Sequence, residues 1–166
     1  TEPIGDTSRR FRQLGLGYAN LGALLMALGY AYDSPEGRAW AAALTSLMTG
    51  HAYATSARTA ARLGPFEGYA ANEEHMLRVL AMHRDASYQI DDESAVPAEL
   101  LTAGQTAWET ALCEGREHGV RNSQATVLAP TGCLVGGALV ATNLGLVRLR
   151  TLGDVDGPQW QDTSFD

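Results

Sequence analysis

The sequence predicts a mainly α-helical domain that reaches one short strand late in the chain and then passes into a small β-hairpin. Three observations carry that expectation. Apolar residues recur at helical spacing through the first 118 positions. Glycines and prolines fall where helices stop and start. Only residues 124–128 and the runs after residue 137 have the Thr-, Val- and Leu-rich character of strands. About five helices are expected, with a strand near residues 124–128 and a hairpin near residues 138–149.

Residues 10–14 give an entry that is either extended or helical, interrupted by Gly15 and Gly17. From Tyr18, Leu21, Leu24, Leu25 and Leu28 define a helix, and Gly29 supplies the left-handed residue that closes it. Ser34 is a cap, Pro35 suits the first helical position, and Glu36 favours the positive end of the helix dipole. That helix is expected to run to Leu63, where Gly64 and Pro65 stop it. Gly50 is placed to bend or break it, since an interior glycine costs about 1 kcal/mol relative to alanine. Asn72 is expected to cap a helix from Glu73 to about Tyr88, with Met76, Val79, Leu80 and Met82 or His83 on its apolar face. Pro97 opens a further helix through Trp108 and Leu112 to His118, ended by Gly119.

Composition narrows the function. A length of 166 residues with 45% hydrophobic content suffices for a core. The net charge of -7 leaves no basic groove for nucleic acid. All 12 basic residues are Arg, so no lysine nucleophile is available. Cys113 and Cys133 do not make a disulfide scaffold, and no leader or membrane-length apolar run is seen; a cytoplasmic protein is expected. The chain opens at Thr1 and has no closing element, as expected of a piece of a longer protein.

His51, His75, His83 and His118 lie apart without metal-ligand spacing, so no metal site is expected. Asp91, Asp92 and Glu93 read as a solvated turn. Tyr30, Tyr32, Trp40, Tyr53 and Phe66 could stack a ligand, yet aromatic residues at such positions are normally core. The loop Ala129, Pro130, Thr131 and Gly132 follows a strand, the context in which backbone N–H groups can face a phosphate. Standing alone it is an ordinary turn, and Cys133 is ambiguous between a small buried apolar residue and a nucleophile.

Residues 9–132 resemble the adenosylcobalamin-dependent (class II) ribonucleotide reductases. The resemblance rests on RRFRQLGLGYANLGALLMALGYAYDSPEGR, on ARLGPFEGY, and above all on GVRNSQATVLAPTG from Gly119 to Gly132. It implies that residues 1–132 are a helical segment of an α/β ten-stranded barrel, with residues 124–128 as a barrel strand. It also implies a ribonucleoside-diphosphate reductase that makes 2′-deoxyribonucleotides for DNA synthesis through a cobalamin-generated thiyl radical. A cysteine pair would be oxidised and reset by an external dithiol such as thioredoxin. Ala129, Pro130, Thr131 and Gly132 would then face the substrate phosphates. The radical cysteine of such enzymes lies on an Asn-x-Cys-x-Glu loop upstream. No such motif occurs here, so the catalytic centre and the cobalamin site are expected elsewhere and the fragment alone is expected to be inactive.

The pattern departs from the family at the next position, where the reductases have Thr and this chain has Cys133. CLVGGALVATNLGLVRLRTL, residues 133–152, resembles the first splicing block of an intein. In that resemblance residues 133–166 are the N-terminal piece of an intein domain of Hint-like β type, Cys133 is the nucleophile, and Gly132 presents the scissile carbonyl. The His-Asn terminus and the Thr-x-x-His block that splicing needs do not appear. Two other readings stay open: a non-enzymatic helical interaction domain, and an uninterrupted reductase fragment with a divergent tail. Flanking coding sequence separates them.

Overall fold

The structure is a computed structural model that describes residues 2–90 and 96–128 in full, and the backbone of residues 139–142 and 145–148. The chain divides into two compact units, Thr1–Ala129 and Pro130–Asp166. In the first, five helices follow one another: α1 (Glu2–Phe11), α2 (Leu21–Leu28), α3 (Pro35–Leu63), α4 (Glu73–Ser87) and α5 (Ala98–His118).

Helix ends are where local chemistry is most visible. The Ser34 hydroxyl accepts from the Gly37 N–H at 3.0 Å, with Pro35 at the first helical position. The backbone N–H of Glu36 itself, and after it a hydrogen bond from the Ser34 side chain, hold the Glu36 carboxyl below its ordinary range. Gly29, Gly64 and Gly119 close α2, α3 and α5 with φ of 79°, 79° and 69°. These are conformations that cost a side chain and not glycine. Asn72 precedes α4 but makes no side-chain cap; its Nδ2 donates to the Gly68 carbonyl at 2.8 Å. Helix α1 was not expected as such. Its signals are Glu2 in the first turn and Arg9 and Arg10 in the last, which complement the helix dipole.

Gly50 neither bends nor breaks α3, which continues through it for 29 residues. A side chain there would lie 3.1 Å from the Ala107 Cβ and from Trp108, so the glycine serves the close approach of α5. Gly104 does the same in return, facing Ser46 of α3 at 3.0 Å. Ala43, Ala54, Ala57 and Ala60 of α3 and Ala107 and Ala111 of α5 are buried. Small residues let the two helix backbones approach, and Tyr53, Trp108 and Leu112 fill the space beside them. Helix α4 adds Leu80, fully buried, with its Cδ1 3.3 Å from where a Gly115 Cβ would be. Residues Ala39, Ala43, Val96 and Leu101 form a second, smaller cluster.

The α/β barrel expectation is corrected. The described residues are mainly α, with no strand between residues 2 and 128 and no barrel. Residues 124–128 make a single isolated parallel bridge, Leu16 to Thr126. The cause lies in where the backbone donors just before it are directed. The Arg121 N–H reaches the Ser56 carbonyl, the Asn122 N–H the Ser56 hydroxyl, and the Ser123 N–H the Phe11 carbonyl. Those groups are bonded to a helix and a helix end, so no ladder can extend through them.

In the second unit, β1 (Leu139–Thr142) pairs antiparallel with β2 (Gly145–Arg148) in the register Leu139 to Arg148 and Thr142 to Gly145. This two-stranded ribbon belongs to no larger sheet among the described residues.

Candidate functional site

The segment leading to the predicted phosphate loop begins where α5 ends. Gly119 turns the chain past Tyr69, whose ring would lie 2.8 Å from any Cβ there. Val120 is fully buried and its carbonyl accepts from the Phe66 N–H at 3.1 Å. Arg121 then sends one guanidinium nitrogen to three carbonyls at the end of α3, those of Leu63, Gly64 and Pro65, at 3.2, 3.1 and 3.3 Å. A cation at that pole satisfies carbonyls that lack helical partners and complements the dipole.

Asn122 joins three parts of the chain. Its Oδ1 accepts from the Ser56 hydroxyl at 2.8 Å, its N–H donates to the same oxygen at 3.0 Å, and its Nδ2 donates to the Arg12 carbonyl at 2.7 Å. Arg12 itself has φ of 49°, a conformation uncommon for a residue with a side chain. There the chain leaves α1 and runs alongside residues 124–127. Leu14 N–H donates to the Gln124 carbonyl at 2.8 Å, Leu16 N–H to the Ala125 carbonyl at 3.1 Å, and Val127 N–H to the Leu16 carbonyl at 2.8 Å. Gly15 and Gly17, read from sequence as interruptions, are what allow this. A Cβ on Gly17 would meet the Val127 carbonyl oxygen at 2.5 Å, and one on Gly15 would meet the Val127 side chain at 2.9 Å.

A cavity of about 610 Å³ opens beside this segment, lined in part by Tyr18, Thr45, Thr49, His83, Trp108 and Thr126. The hydroxyls are paired: Tyr18 with Thr45 at 2.9 Å, and Thr49 with Thr126 at 3.2 Å. His83 stacks on Trp108 with ring centroids 5.1 Å apart. Burial pushes the Tyr53 phenol up, opposed by a hydrogen bond from the backbone of Ala125.

Several sequence candidates separate in space. His51, His75, His83 and His118 line four different cavities, and no group of His, Cys, Asp and Glu able to hold a metal occurs among the described residues. Tyr53 and Phe66 are core residues and Trp40 packs on the second cluster, whereas Tyr32 is exposed. Cys113 is exposed on α5. Asp91, Asp92 and Glu93 lie outside the described residues, as do Ala129, Pro130, Thr131, Gly132 and Cys133. Sequence reasoning missed Ser56, Thr49 and Arg12, the partners that hold the segment. No helical helix of the described residues is long and apolar enough to cross a membrane.

Comparison with known proteins gives a consistent answer. The family described as ribonucleotide reductase, barrel domain, matches residues 1–136. A vitamin B12-dependent ribonucleotide reductase of Streptantibioticus cattleyicolor is 52% identical over 134 residues, 81% of this chain and 22% of that protein. The protein of the same name from Streptomyces coelicolor is 49% identical over 146 residues, 88% of this chain and 15% of that protein. One from Rhodopirellula baltica is 51% identical over 134 residues, 81% of this chain and 13% of that protein. The chain thus spans less than a quarter of the length of these relatives. With a family match over most of its length and about half of the aligned residues identical to those of these proteins, the chain belongs to the ribonucleotide reductase barrel-domain family.

Proposed function

We propose that residues 1–132 are part of a vitamin B12-dependent reductase that converts ribonucleotides to 2′-deoxyribonucleotides, and that the chain passes at Cys133 into the first splicing block of an intein. The observation that carries the first half is the 52% identity over 134 residues to a protein of that name. Ala129, Pro130, Thr131 and Gly132 are the substrate-phosphate contacts in this reading. The segment 121–128 supports it, because a chain held by so many hydrogen bonds can deliver backbone N–H groups to a fixed place, as anion recognition needs. A dithiol protein such as thioredoxin would restore the reduced enzyme.

Adenosylcobalamin supplies the radical chemistry when bound. No site for it is identifiable among the described residues. Its place and the radical cysteine belong, in this proposal, to the rest of the reductase.

The second half rests on the sequence change at residues 132–133. The Cys133 thiolate attacks the Gly132 carbonyl carbon, the Gly132–Cys133 C–N bond breaks, and the freed amine of Cys133 takes the proton, leaving a thioester. In a longer chain that carries the remaining splicing blocks, added thiol should cleave between residues 132 and 133. Cys133→Ala should abolish that cleavage and Cys113→Ala should leave it unchanged. Intact mass after thiol treatment reads the result. An uncut wild-type chain, or equal cutting in Cys133→Ala, removes the intein and leaves the reductase segment.

A further inference from the structure

Helix α2 carries no polar side chain: its eight residues, Leu21–Leu28, are Leu, Gly, Ala, Leu, Leu, Met, Ala and Leu. A helix that is apolar on every side belongs in an interior, either of a protein or of a membrane. Eight residues extend about 12 Å, well short of the roughly 30 Å of a bilayer core, so a protein interior is the one that fits. Among the described residues α2 has only begun to find it. Leu25 alone is buried, and Met26 is 54% exposed, with Leu24 and Leu28 open to water beside it. Isolated helices under about 12–15 residues are marginal in water. Nor does α2 have an acidic residue in its first turn or a basic one in its last to steady it.

The surface beside α2 is of the same kind. A cavity of about 520 Å³ lies between Leu21 and Leu24 of α2 and Leu44, Leu47 and Met48 of α3. Leu47 and Met48 also line a neighbouring cavity of about 660 Å³, together with Leu14 and Leu16. The two make one trough along α3. Leu44, Leu47, Met48 and His51 recur at three- and four-residue spacing and so share a stripe of that helix, as Leu21, Leu24 and Leu28 do on α2. No Arg, Asp or Glu lines either cavity.

We infer that this trough and the exposed side of α2 are covered by an amphipathic helix from another part of the same reductase polypeptide. Two apolar helical stripes bordering a groove fit a helix whose own apolar residues recur at three- and four-residue spacing. Three observations favour a joined segment over a dissociating partner. A helix apolar all round has no polar side to present when a partner leaves, and a joined segment never leaves. No Arg, Asp or Glu lines the trough to steer a diffusing partner. The part matched by this chain is 22%, 15% and 13% of three relatives, so most of such a polypeptide lies outside it. The inference rests on the reading of the chain as a segment of a longer reductase.

The test uses the mature full-length reductase. In the wild-type enzyme, oxidation of Met26 by hydroxyl radicals is followed by mass spectrometry in the folded state and in denaturant. A covered Met26 should react at least about tenfold more slowly when folded, since methionine oxidation follows exposure. Photo-crosslinking benzoylphenylalanine in place of Met26 then identifies the cover. The crosslinked peptide should come from the same chain, outside residues 1–166, and carry apolar residues at three- and four-residue spacing. Met26 oxidised within about twofold of its unfolded rate overturns the inference. So does a product of twice the chain mass, a crosslink back into residues 1–166, a peptide without that spacing, or a folded variant that gives no crosslink. If residue 26 does not tolerate the crosslinker, Leu28 is replaced instead, and wild-type protection that disappears on dilution refutes a joined segment without any variant. Ribonucleotide reduction by the wild-type preparation is assayed separately. A covered Met26 in an enzyme that reduces no ribonucleotide counts against the proposed function alone, and an open Met26 in an active reductase refutes the inference alone.

Discussion

The seam between α3 and α5 and the paired segments 14–17 and 124–128 both pack against α3, yet they are finished to different degrees. At the seam, Ala57 and Ala111 are fully buried and Trp108 is 2% exposed. Along the paired segments Leu14, Leu16, Val127 and Leu128 are 49%, 49%, 43% and 50% exposed. Four large apolar side chains half open to water on adjacent short segments form the kind of surface that marks a contact still to be made. The helices find their partners within the chain through small residues at close approach. The extended segments are tied down by backbone and polar side-chain hydrogen bonds, which fix position without covering apolar area.

The largest effect should come from the closed side. Trp108→Ala removes the ring that packs on Tyr53, His83 and Gly50, and should cost about 3–5 kcal/mol. Urea unfolding of the full chain reads it. A loss below about 1 kcal/mol would mean that the seam is not the stabilising contact and the comparison fails.

Gly17→Ala probes the other side through its backbone. The added Cβ would have to displace the Val127 carbonyl, and the change should cost about 1–3 kcal/mol, as overpacked contacts do. Amide exchange should show where. The Val127 N–H, bonded to the Leu16 carbonyl, should lose protection while amides of α5 keep theirs. Equal loss in both places would show that the two regions unfold as one.

The smallest effect is expected from Leu16→Thr. A half-exposed side chain away from the core should change stability by no more than about 0.5 kcal/mol. It should nevertheless reduce self-association at high concentration, measured by sedimentation, because it removes apolar area from the open face. A loss of stability comparable to that of Trp108→Ala would show that Leu16 is core and that the segments are as closed as the seam.

Much of the helical framework was legible because its signals are local. Ser34 and Pro35 start α3 in the structure as they do in the sequence, and Gly29, Gly64 and Gly119 stop helices by adopting backbone angles open to glycine. Helix α1 was not legible from apolar spacing because it buries no residue and meets the core through Phe11 at its last position. The segment at residues 124–128 was misread as a barrel strand for a different reason. β-type composition states which side chains suit an extended chain, whereas a ladder depends on what the neighbouring backbone donors bond to.

By itself the sequence determined where most of the helices begin and end, a net charge of -7, and the family resemblance carried by GVRNSQATVLAPTG. Those are properties of adjacent residues or of the whole composition. Tertiary structure alone decided that Gly50 and Gly104 let two helices touch, and that Gly15 and Gly17 admit Val127. It also decided that Ser56 and Asn122, 66 positions apart, share hydrogen bonds. A helical pattern specifies which face of a segment is apolar, but the residue opposite a glycine or a buried hydroxyl is chosen by chain crossing, and that choice leaves no local mark in the sequence.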